Sequence, residues 1–263
     1  QNCKLLEIPS SFEYLVSIIT PVYNSGLFLD EMIQSVISQS ITNWELLLVD
    51  DFSSDNSISI IEKYTNKYPN INLIKNSKNI GPGLSRNKAI KKAKGRYIAF
   101  LDSDDIWKKD KLSIQLSFMQ KNNISFSHAS YGYMDEESNI SNKIFRVSSF
   151  PITYKNLLKK TEISCLTAIF DVSLIGKQYM PDLRQAEDYS LWLKILGNGI
   201  VSYPIKDVLA YYRQRKGSVT NRKISLIFKH WHFLYHNQGL SFIVSIYYLF
   251  LWGFNGLRKY YIS

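Results

Sequence analysis

Three carboxylates follow an apolar run near the middle of the chain. Asp102, Asp104 and Asp105 come directly after residues 97–101, which have the composition of a buried strand. Open α/β sheets bind their ligands at the carboxyl ends of the strands, so these acids are well placed for binding. Carboxylates crowded this closely repel one another unless a cation such as Mg²⁺ or Mn²⁺ lies between them. The pattern therefore indicates a metal site, and a solvated acidic turn before the next helix is the alternative.

A second acidic pair, Asp50 and Asp51, ends another apolar run. A carboxylate at this end of a strand can accept a hydrogen bond from a nucleotide base or a ribose. The alternative is structural, because the hydroxyl and carboxylate side chains that follow can cap the next helix.

A glycine-rich segment lies at residues 81–87, which read Gly-Pro-Gly-Leu-Ser-Arg-Asn. It resembles a dinucleotide-binding fingerprint but lacks the third glycine, where Arg86 stands instead. We therefore interpret the segment as the start of a helix that presents Arg86 to a diphosphate or a base.

Short apolar runs that alternate with helical patterns must position these side chains. The expected strands cover residues 16–20, closed by Pro21, then 45–49, 71–74, 97–101, 125–134, 163–170 and 208–213. Helices are expected between the first four strands and again at residues 186–196. This alternation predicts parallel β-α-β units with right-handed crossovers, and hence an α/β fold.

Composition is that of a folded, globular protein. Of the 263 residues, 45% are hydrophobic and 21% are charged, which excludes a disordered chain. The length predicts one main domain with an extension. The two cysteines, Cys3 and Cys165, lack metal-ligand spacing, and the first residues show no signal-peptide pattern. We expect a protein of a reduced, cytosolic compartment, with Cys165 in the core.

Five motifs in order carry a resemblance to a known family. They lie at residues 16–24 (Val-Ser-Ile-Ile-Thr-Pro-Val-Tyr-Asn), 49–53, 83–87, 102–105 and 186–193 (Ala-Glu-Asp-Tyr-Ser-Leu-Trp-Leu), followed by Tyr-Arg at 212–213. Together they resemble the inverting family 2 glycosyltransferases, over about residues 15 to 220. The resemblance implies a GT-A fold, in which helices flank a Rossmann-like, nucleotide-binding mixed sheet.

That resemblance also implies a division of the chain. Residues 1–14 would be an N-terminal extension and residues 15–220 the GT-A domain. Within this domain, residues 15–105 would bind the nucleotide and residues 106–220 the acceptor. Residues 221–263 would form a basic, aromatic, helical tail that associates with a membrane.

Individual roles follow from the same resemblance. It implies nucleotide-sugar binding by Pro21, Tyr23, Asn24, Asp50, Asp51, Arg86, Asp102, Ser103, Arg213 and Arg215. It implies Asp104 as the ligand of Mn²⁺ or Mg²⁺, Asp188 as the catalytic base, and Glu187 and Trp192 as acceptor-binding residues. The chemistry needs such a set, because a sugar hydroxyl must lose its proton to a base and the departing diphosphate needs cations.

One position departs from the family pattern. Many members carry a histidine where this chain has Arg215. The basic side chains of residues 213–216 could instead bind a diphosphate of the donor or of the acceptor. A solvated basic loop is the alternative.

The C-terminal tail combines positive charge with apolar bulk. Residues 206–263 hold nine Lys and Arg residues and one acid, Asp207, within a chain of net charge +10. Apolar side chains from Ile224 to Tyr235 recur at helical spacing, which is typical of an interfacial helix. The uncharged segment 242–254 is shorter than a bilayer span, and its aromatic residues suit the headgroup layer. We predict that the tail lies on an anionic membrane, with a helical hairpin docked on the core as the alternative.

These observations imply a peripheral enzyme at the cytoplasmic face of the bacterial inner membrane. By resemblance, it moves a hexose, galactose or glucose, from a UDP-sugar to a lipid-diphosphate-linked saccharide such as GlcNAc-diphosphate-undecaprenol. The implied linkage is β-1,3 and the process is O-antigen or other surface polysaccharide synthesis. A transferase for UDP-GlcNAc or UDP-GalNAc, a nucleotidyltransferase, and a nucleic-acid-binding module are the alternatives. We expect no nucleic-acid partner, because no nucleic-acid motif is present and such a module has no use for clustered carboxylates.

Overall fold

The computed structural model describes residues 11–215 and 223–261, and it describes side chains at 11–215 and 227–255. A nine-stranded mixed sheet forms the centre of this part of the chain. Its strands are β1 (Tyr14–Val22), β2 (Trp44–Asp50), β3 (Ile71–Lys75), β4 (Gly95–Phe100), β5 (Ile106–Trp107), β6 (Phe126–Met134), β7 (Ile140–Phe145), β8 (Ile169–Asp171) and β9 (Tyr203–Arg213). The helices are α1 (Leu29–Ile37), α2 (Ser57–Thr65), α3 (Pro82–Lys92), α4 (Lys111–Lys121), α5 (Tyr154–Lys159), α6 (Val172–Ile175), α7 (Glu187–Gly197), α8 (Lys223–His232) and α9 (Phe242–Tyr261).

The direction of the strands decides where the functional edge lies. The strand order is β3-β2-β1-β4-β8-β6-β9-β5, and β7 pairs with β6. Strands β1 to β4 pair in parallel, which confirms the predicted β-α-β units. Strand β8 is antiparallel to both β4 and β6, and β9 is parallel to β6. Strands β6 and β9 therefore run in the same direction as β4, so all these carboxyl ends meet at one edge.

Strand β1 continues through Pro21, where the sequence predicted its end. Its pairing with β4 stops at Ile19, whereas its pairing with β2 continues to Val22. The carbonyl of Ile19 accepts from Leu101, so Ile19 faces β4, and Pro21, two positions later, faces the same way. Its missing N–H therefore lies beyond the last pair with β4 and costs no ladder bond.

The strand predicted at residues 163–170 is largely wrong. Residues Cys165–Thr167 form a 3₁₀ turn, and only Ile169–Asp171 joins the sheet. Side chains take the backbone acceptors of the turn: Trp107 donates to the carbonyl of Leu166, and Gln115 donates to that of Thr167. An apolar run of this length is buried in either conformation, so its composition did not distinguish a strand from a turn.

Apolar side chains fill both faces of the sheet. Ile19, Val49 and Phe100 pack beneath α3 and α7, and Ile18 and Leu48 pack beneath α1 on the opposite face. This alternation is the period of two that a strand buried on both sides imposes.

Trp192 belongs to this core. Its side chain is fully buried, and its ring centroid lies 5.5 Å from that of Phe100 and 5.2 Å from that of Phe126. The expectation that Trp192 binds the acceptor is therefore wrong. The reason is the helical period, because Trp192 projects from the face of α7 that packs on the sheet.

Lys111 is an unusual member of the core. Its side chain is fully buried, with Nζ 3.1 Å from Oε1 of Gln115 and 4.0 Å from the centroid of the Trp107 ring. No acidic side chain in the described part of the chain forms an ion pair with it. Burial lowers the pKa of Lys111 well below its ordinary range.

This lowered pKa makes stability depend on pH. Between its folded pKa and about 10.4, Lys111 is neutral in the folded protein and protonated in the unfolded chain, so stability rises with pH. Urea unfolding at pH 7, 8 and 9 should show the free energy of unfolding of the wild type rising more steeply than that of Lys111→Met. The expected difference is up to about 1.4 kcal/mol per pH unit. Equal slopes for the two proteins would mean that Lys111 stays charged in the fold.

The C-terminal helices form a hairpin that docks on the core and exposes apolar side chains as well. A π-helical turn, Phe233–Asn237, follows α8, and Phe233 and Leu234 are buried. In α9, Trp252 donates to Oγ1 of Thr161 and Asn255 donates to the carbonyl of Lys159. No helix among the described residues combines the length and the apolar character that crossing a membrane requires. The side chain of Lys216, in the basic segment 213–216, lies outside the described ones, as do those of Arg258 and Lys259 near the end of the tail.

Candidate active site

The carboxyl edge of the sheet collects the predicted site residues. Asp50 and Asp51 end β2 and begin the loop that follows it, and residues 102–105 follow β4. Arg213 ends β9. Helices α3 and α7 begin near the same edge, where Arg86 of α3 donates to Glu187 of α7. Parallel pairing thus brings together residues that are far apart in the sequence.

Asp50 and Asp51 differ in what they bind. Oδ1 of Asp51 accepts from Ile80 N at 2.8 Å and from Asn76 Nδ2 at 2.9 Å, and its Oδ2 accepts from Gly81 N at 2.8 Å. Asp51 therefore holds the loop that leads into α3. Asp50 accepts from Ser53 N at 3.2 Å through Oδ2, but its buried Oδ1 has no hydrogen-bond partner among the described residues. Of the two, Asp50 is the one that keeps a buried carboxylate oxygen without a partner in this part of the structure.

Arg86 joins three parts of the chain. Its guanidinium is buried and forms ion pairs with Asp102 and, at 3.2 Å, with Glu187. Helix α3 can approach α7 this closely because position 83 is glycine: a Cβ on Gly83 would lie 2.9 Å from Cγ of Glu187. Arg86 was expected to face a diphosphate or a base. The structure places it between carboxylates instead, where it offsets their mutual repulsion.

Asp188 differs from a surface aspartate in its position and in its pKa. It lies in the first turn of α7, which follows Ala186 in a left-handed conformation (φ 57°) that non-glycine residues rarely adopt. Burial and the neighbouring Glu187 raise the pKa of Asp188 to about 6, against the opposing charge of Arg86. A carboxylate with this pKa is ionised at neutral pH and holds a proton more readily than an ordinary aspartate.

Asp104 faces Arg215 rather than a cluster of ligands. Its Oδ2 lies 2.9 Å from a guanidinium nitrogen of Arg215. Burial and the nearby Asp102 raise the pKa of Asp104. Within the described residues, no group of three or more His, Cys, Asp or Glu side chains forms a complete metal cage. Asp104 still suits Mg²⁺ or Mn²⁺, because such ions are commonly held by one or two carboxylates together with substrate phosphates.

Arg213 has a structural position that the sequence did not indicate. Its side chain is fully buried; Nε donates to the Asp104 carbonyl at 2.7 Å, and other guanidinium nitrogens pair with Glu31 and donate to Ser138. Its backbone N–H also donates to Asp105 at 2.8 Å. With these contacts Arg213 holds the acidic turn against β9, so the expectation that it binds the diphosphate is not supported.

The remaining predicted residues line the same edge. Pro21 lies near the end of β1, and Tyr23 follows with 54% of its surface exposed. Asn24 accepts from Ser54 N at 2.8 Å, which ties this loop to the loop after β2. The hydroxyl of Ser103 lies 2.7 Å from that of Ser25, so the loops that follow β1 and β4 also meet.

Two residues near the site were missed as functional candidates. The buried Cys165 lies beside the Arg86 cluster: burial raises the pKa of its thiol, and the charge of Arg86 opposes this rise. Tyr212 precedes Arg213, whose backbone N–H donates to Asp105 of the acidic turn. Burial and the carboxylates of Asp105 and Asp104 raise the pKa of the Tyr212 phenol to about 12. The Tyr-Arg pair at 212–213 was a signal for Tyr212, whereas nothing in the sequence distinguished Cys165 from a core residue.

Comparison with known proteins agrees with this arrangement. The family described as Glycosyl transferase family 2 matches residues 17–178. The putative teichuronic acid biosynthesis glycosyltransferase TuaG of Bacillus subtilis (strain 168) is 34% identical over 250 residues, which are 95% of this chain and 99% of TuaG. The Escherichia coli protein WfgD, a UDP-Glc:alpha-D-GlcNAc-diphosphoundecaprenol beta-1,3-glucosyltransferase, is 39% identical over 249 residues, 94% of this chain and 96% of WfgD.

Solved structures share the fold. S. aureus TarS 1–349 in complex with UDP-GlcNAc matches with a TM-score of 0.68 and 25% identity, over 89% of this chain and 70% of that chain. The complex of TarS 1–349 with UDP matches at 28% identity with a TM-score of 0.64, over 76% of this chain and 60% of that chain. These likenesses confirm the GT-A fold, and the family match spans more than half of the sequence. The chain therefore belongs to glycosyl transferase family 2.

Proposed function

We propose that the enzyme is a metal-dependent, inverting hexosyltransferase. It moves a hexose, glucose or galactose, from a UDP-sugar to a lipid-diphosphate-linked saccharide of the GlcNAc-diphosphate-undecaprenol type. The activity in the name of WfgD supports glucose, the lipid-linked acceptor and a β-1,3 linkage. The TarS complexes with UDP and UDP-GlcNAc support a uridine nucleotide, and they make a UDP-GlcNAc transferase the second candidate. Residues 15–220 would form the catalytic unit, with the nucleotide bound by residues 15–105.

The observation that carries this proposal is the position and pKa of Asp188. In the reaction, an oxygen of the acceptor hydroxyl forms a bond to the anomeric carbon while the bond from that carbon to the UDP oxygen breaks. The hydroxyl proton passes to the Asp188 carboxylate, whose pKa near 6 suits a base at neutral pH. Attack opposite the leaving group inverts the configuration, by the geometry that also governs inverting glycosidases.

Other residues prepare the reactants. Arg86 keeps Asp102 and Glu187 in place around the base. The free Oδ1 of Asp50 is the proposed acceptor for an N–H of the uracil or for a ribose hydroxyl. Asp104, with donor phosphates, would hold Mn²⁺ or Mg²⁺, which supplies positive charge to the departing diphosphate.

A UDP-release screen tests the proposed function. The enzyme would be offered UDP-glucose, UDP-galactose, UDP-GlcNAc and UDP-GalNAc, each with and without a GlcNAc-diphosphate-lipid. Acceptor-dependent release from UDP-glucose or UDP-galactose is the expected result. Acceptor-dependent release from UDP-GlcNAc, with none from the other three UDP-sugars, would favour the second candidate. Tight binding of GDP or ADP in calorimetry, with none of UDP, would refute the uridine assignment.

We also propose that the enzyme acts at the cytoplasmic face of the inner membrane, held there by α9. One stripe of this helix exposes four large side chains, which we name the outer stripe: Ile243, Tyr247, Phe250 and Phe254, exposed by 79%, 54%, 72% and 52%. Exposed apolar surface on this scale marks an interaction site. The adjoining α5 carries Lys155 and Lys159, and the carbonyl of Lys159 accepts from Asn255 of α9. Each lysine near an anionic surface contributes about 1 kcal/mol to binding. An anionic bilayer therefore complements the stripe in both hydrophobicity and charge.

Point substitutions in the outer stripe test this attachment. The triple variant Ile243→Ser, Phe250→Ser, Phe254→Ser should lose flotation with anionic vesicles and transfer to long-chain acceptors. Transfer to a soluble, short-chain acceptor should remain, because the inner face of the hairpin is unchanged. Deleting the hairpin is a poorer test, since Phe233 packs 5.3 Å from the ring of Tyr189, next to the base.

A matched control variant replaces three exposed apolar side chains elsewhere on the surface, the same number as in the outer-stripe variant. Ile140, Ile144 and Leu174 are exposed by 59%, 37% and 47% and lie outside the hairpin. Changing these three to serine should leave flotation intact. If the outer-stripe variant still floats with vesicles, the membrane assignment of α9 is wrong.

A further inference from the structure

Two arginines, two positions apart, meet the same acidic turn in different ways. Arg213 is fully buried and its guanidinium nitrogens are occupied by Glu31, Ser138 and backbone carbonyls. Arg215 has a half-exposed side chain, with 47% of its surface accessible, and it contacts the turn through Oδ2 of Asp104 at 2.9 Å. Arg213 is therefore a fixed structural contact, whereas Arg215 has the freedom to leave.

Asp104 needs a positive partner in this environment. Its side chain is only 18% exposed and its charge is repelled by Asp102. Arg86 offsets the charge of Asp102, and it pairs with Glu187 rather than with Asp104. Within the described residues, Arg215 forms the one ion pair of the Asp104 carboxylate. An unpaired carboxylate buried to this extent is costly, so this contact stabilises the acidic turn.

Arg215 and a divalent cation compete for the same carboxylate. A cation on Asp104 would lie within a few ångströms of the guanidinium, and like charges at that distance repel. A donor diphosphate removes the conflict, because a guanidinium binds phosphate through two parallel hydrogen bonds. The ring of Phe28 lies 5.8 Å from the guanidinium carbon of Arg215.

We propose that Arg215 is an intramolecular counter-ion that occupies Asp104 until the donor arrives, and so makes metal binding depend on the nucleotide. The proposal rests on the proposed function, in which Asp104 binds the metal. When UDP or a UDP-sugar enters, Arg215 moves from Asp104 to the diphosphate and the carboxylate becomes available to the cation. By linkage, UDP raises the affinity for the metal by the same factor as the metal raises the affinity for UDP.

Mn²⁺ binding, measured by electron paramagnetic resonance and by calorimetry with and without UDP, tests this coupling without any turnover. In the wild type, UDP should tighten Mn²⁺ binding by about tenfold or more, a usual size for coupling between sites. Arg215→Ala should bind Mn²⁺ about tenfold more tightly than the wild type in the absence of UDP. The same variant should bind UDP more weakly without metal. The effect of UDP on Mn²⁺ affinity should shrink to the part that direct coordination of the metal by the diphosphate supplies.

Control variants separate the possible outcomes. Arg146 is exposed and lies outside the acidic turn, so Arg146→Ala removes one charge and should behave as the wild type does. Arg215→Lys keeps the charge but not the forked geometry, and should retain weak Mn²⁺ binding without UDP. If Arg215→Ala keeps the wild-type Mn²⁺ affinity and the full effect of UDP, the counter-ion proposal is overturned.

Asp104→Asn distinguishes this failure from a failure of the proposed function. Loss of Mn²⁺ binding in that variant, together with wild-type behaviour of Arg215→Ala, would reject the counter-ion and keep Asp104 as the ligand. Unchanged Mn²⁺ binding in Asp104→Asn would instead reject the metal assignment. Circular dichroism of each variant shows whether the fold is kept, and Arg215→Lys provides the comparison if Arg215→Ala is destabilised.

Discussion

Asp188→Asn is expected to lower kcat by about 10²- to 10⁴-fold, the usual contribution of a general base. The amide keeps the shape of the side chain but cannot accept the proton of the acceptor hydroxyl. Binding of the UDP-sugar should change little, because the base acts mainly in the transition state. Steady-state kinetics combined with calorimetry of UDP-sugar binding measure the two effects separately.

The pH dependence of kcat/KM provides an independent test of Asp188 as the base. Since burial and Glu187 raise the pKa of Asp188 to about 6, the carboxylate is protonated below that pH and ionised above it. A base is active only when ionised, so kcat/KM should rise with pH through about 6 and then level off. This limb should disappear in Asp188→Asn. A variant with nearly normal kcat would move the role of base to another carboxylate, with Glu187 the next candidate.

Asp104→Asn is expected to reduce activity by about 10²- to 10³-fold, and an excess of chelator should have a similar effect on the wild type. The amide is neutral and a weaker ligand for Mg²⁺ or Mn²⁺, so the departing diphosphate would lose several kcal/mol of charge stabilisation. Circular dichroism should confirm that the fold is kept, because the amide oxygen of this variant can still accept a hydrogen bond from Arg215.

Metal titration of the two proteins provides the control for this prediction. Added Mn²⁺ should restore chelator-treated wild type fully and Asp104→Asn only slightly. Full turnover of the wild type in excess chelator would contradict the metal assignment. In that case Arg215, the cation already paired with Asp104, would be the first candidate for stabilising the diphosphate.

The sequence by itself determined the fold class and the edge at which the site lies. Buried strands of a parallel sheet are apolar throughout, so their ends can be recognised where acids follow, as at Asp50 and Asp102. Alternation with helices implied parallel pairing, and parallel pairing brings these ends together. The helix expected at residues 186–196 is confirmed as α7, which places Asp188 in its first turn.

The partners of the charged side chains were decided only by the tertiary structure. Arg86 lies between Asp102 and Glu187, which is 101 positions away in the sequence, because α3 and α7 meet at Gly83. Local sequence contains no information on a contact of this range. The same limit explains why Arg213 and Arg215 looked alike, although one is enclosed by Glu31 and Ser138 and the other is half exposed.

Burial and hydrogen-bond saturation are likewise properties of the assembled fold. Asp50 and Asp51 are adjacent and chemically identical, yet three donors occupy Asp51 while Oδ1 of Asp50 has no partner among the described residues. Trp192 follows the Glu-Asp motif closely, but 3.6 residues per turn direct it into the core rather than toward the acceptor. Residue type and spacing thus determined which groups could do the chemistry, and three-dimensional packing determined which of them are free to do it.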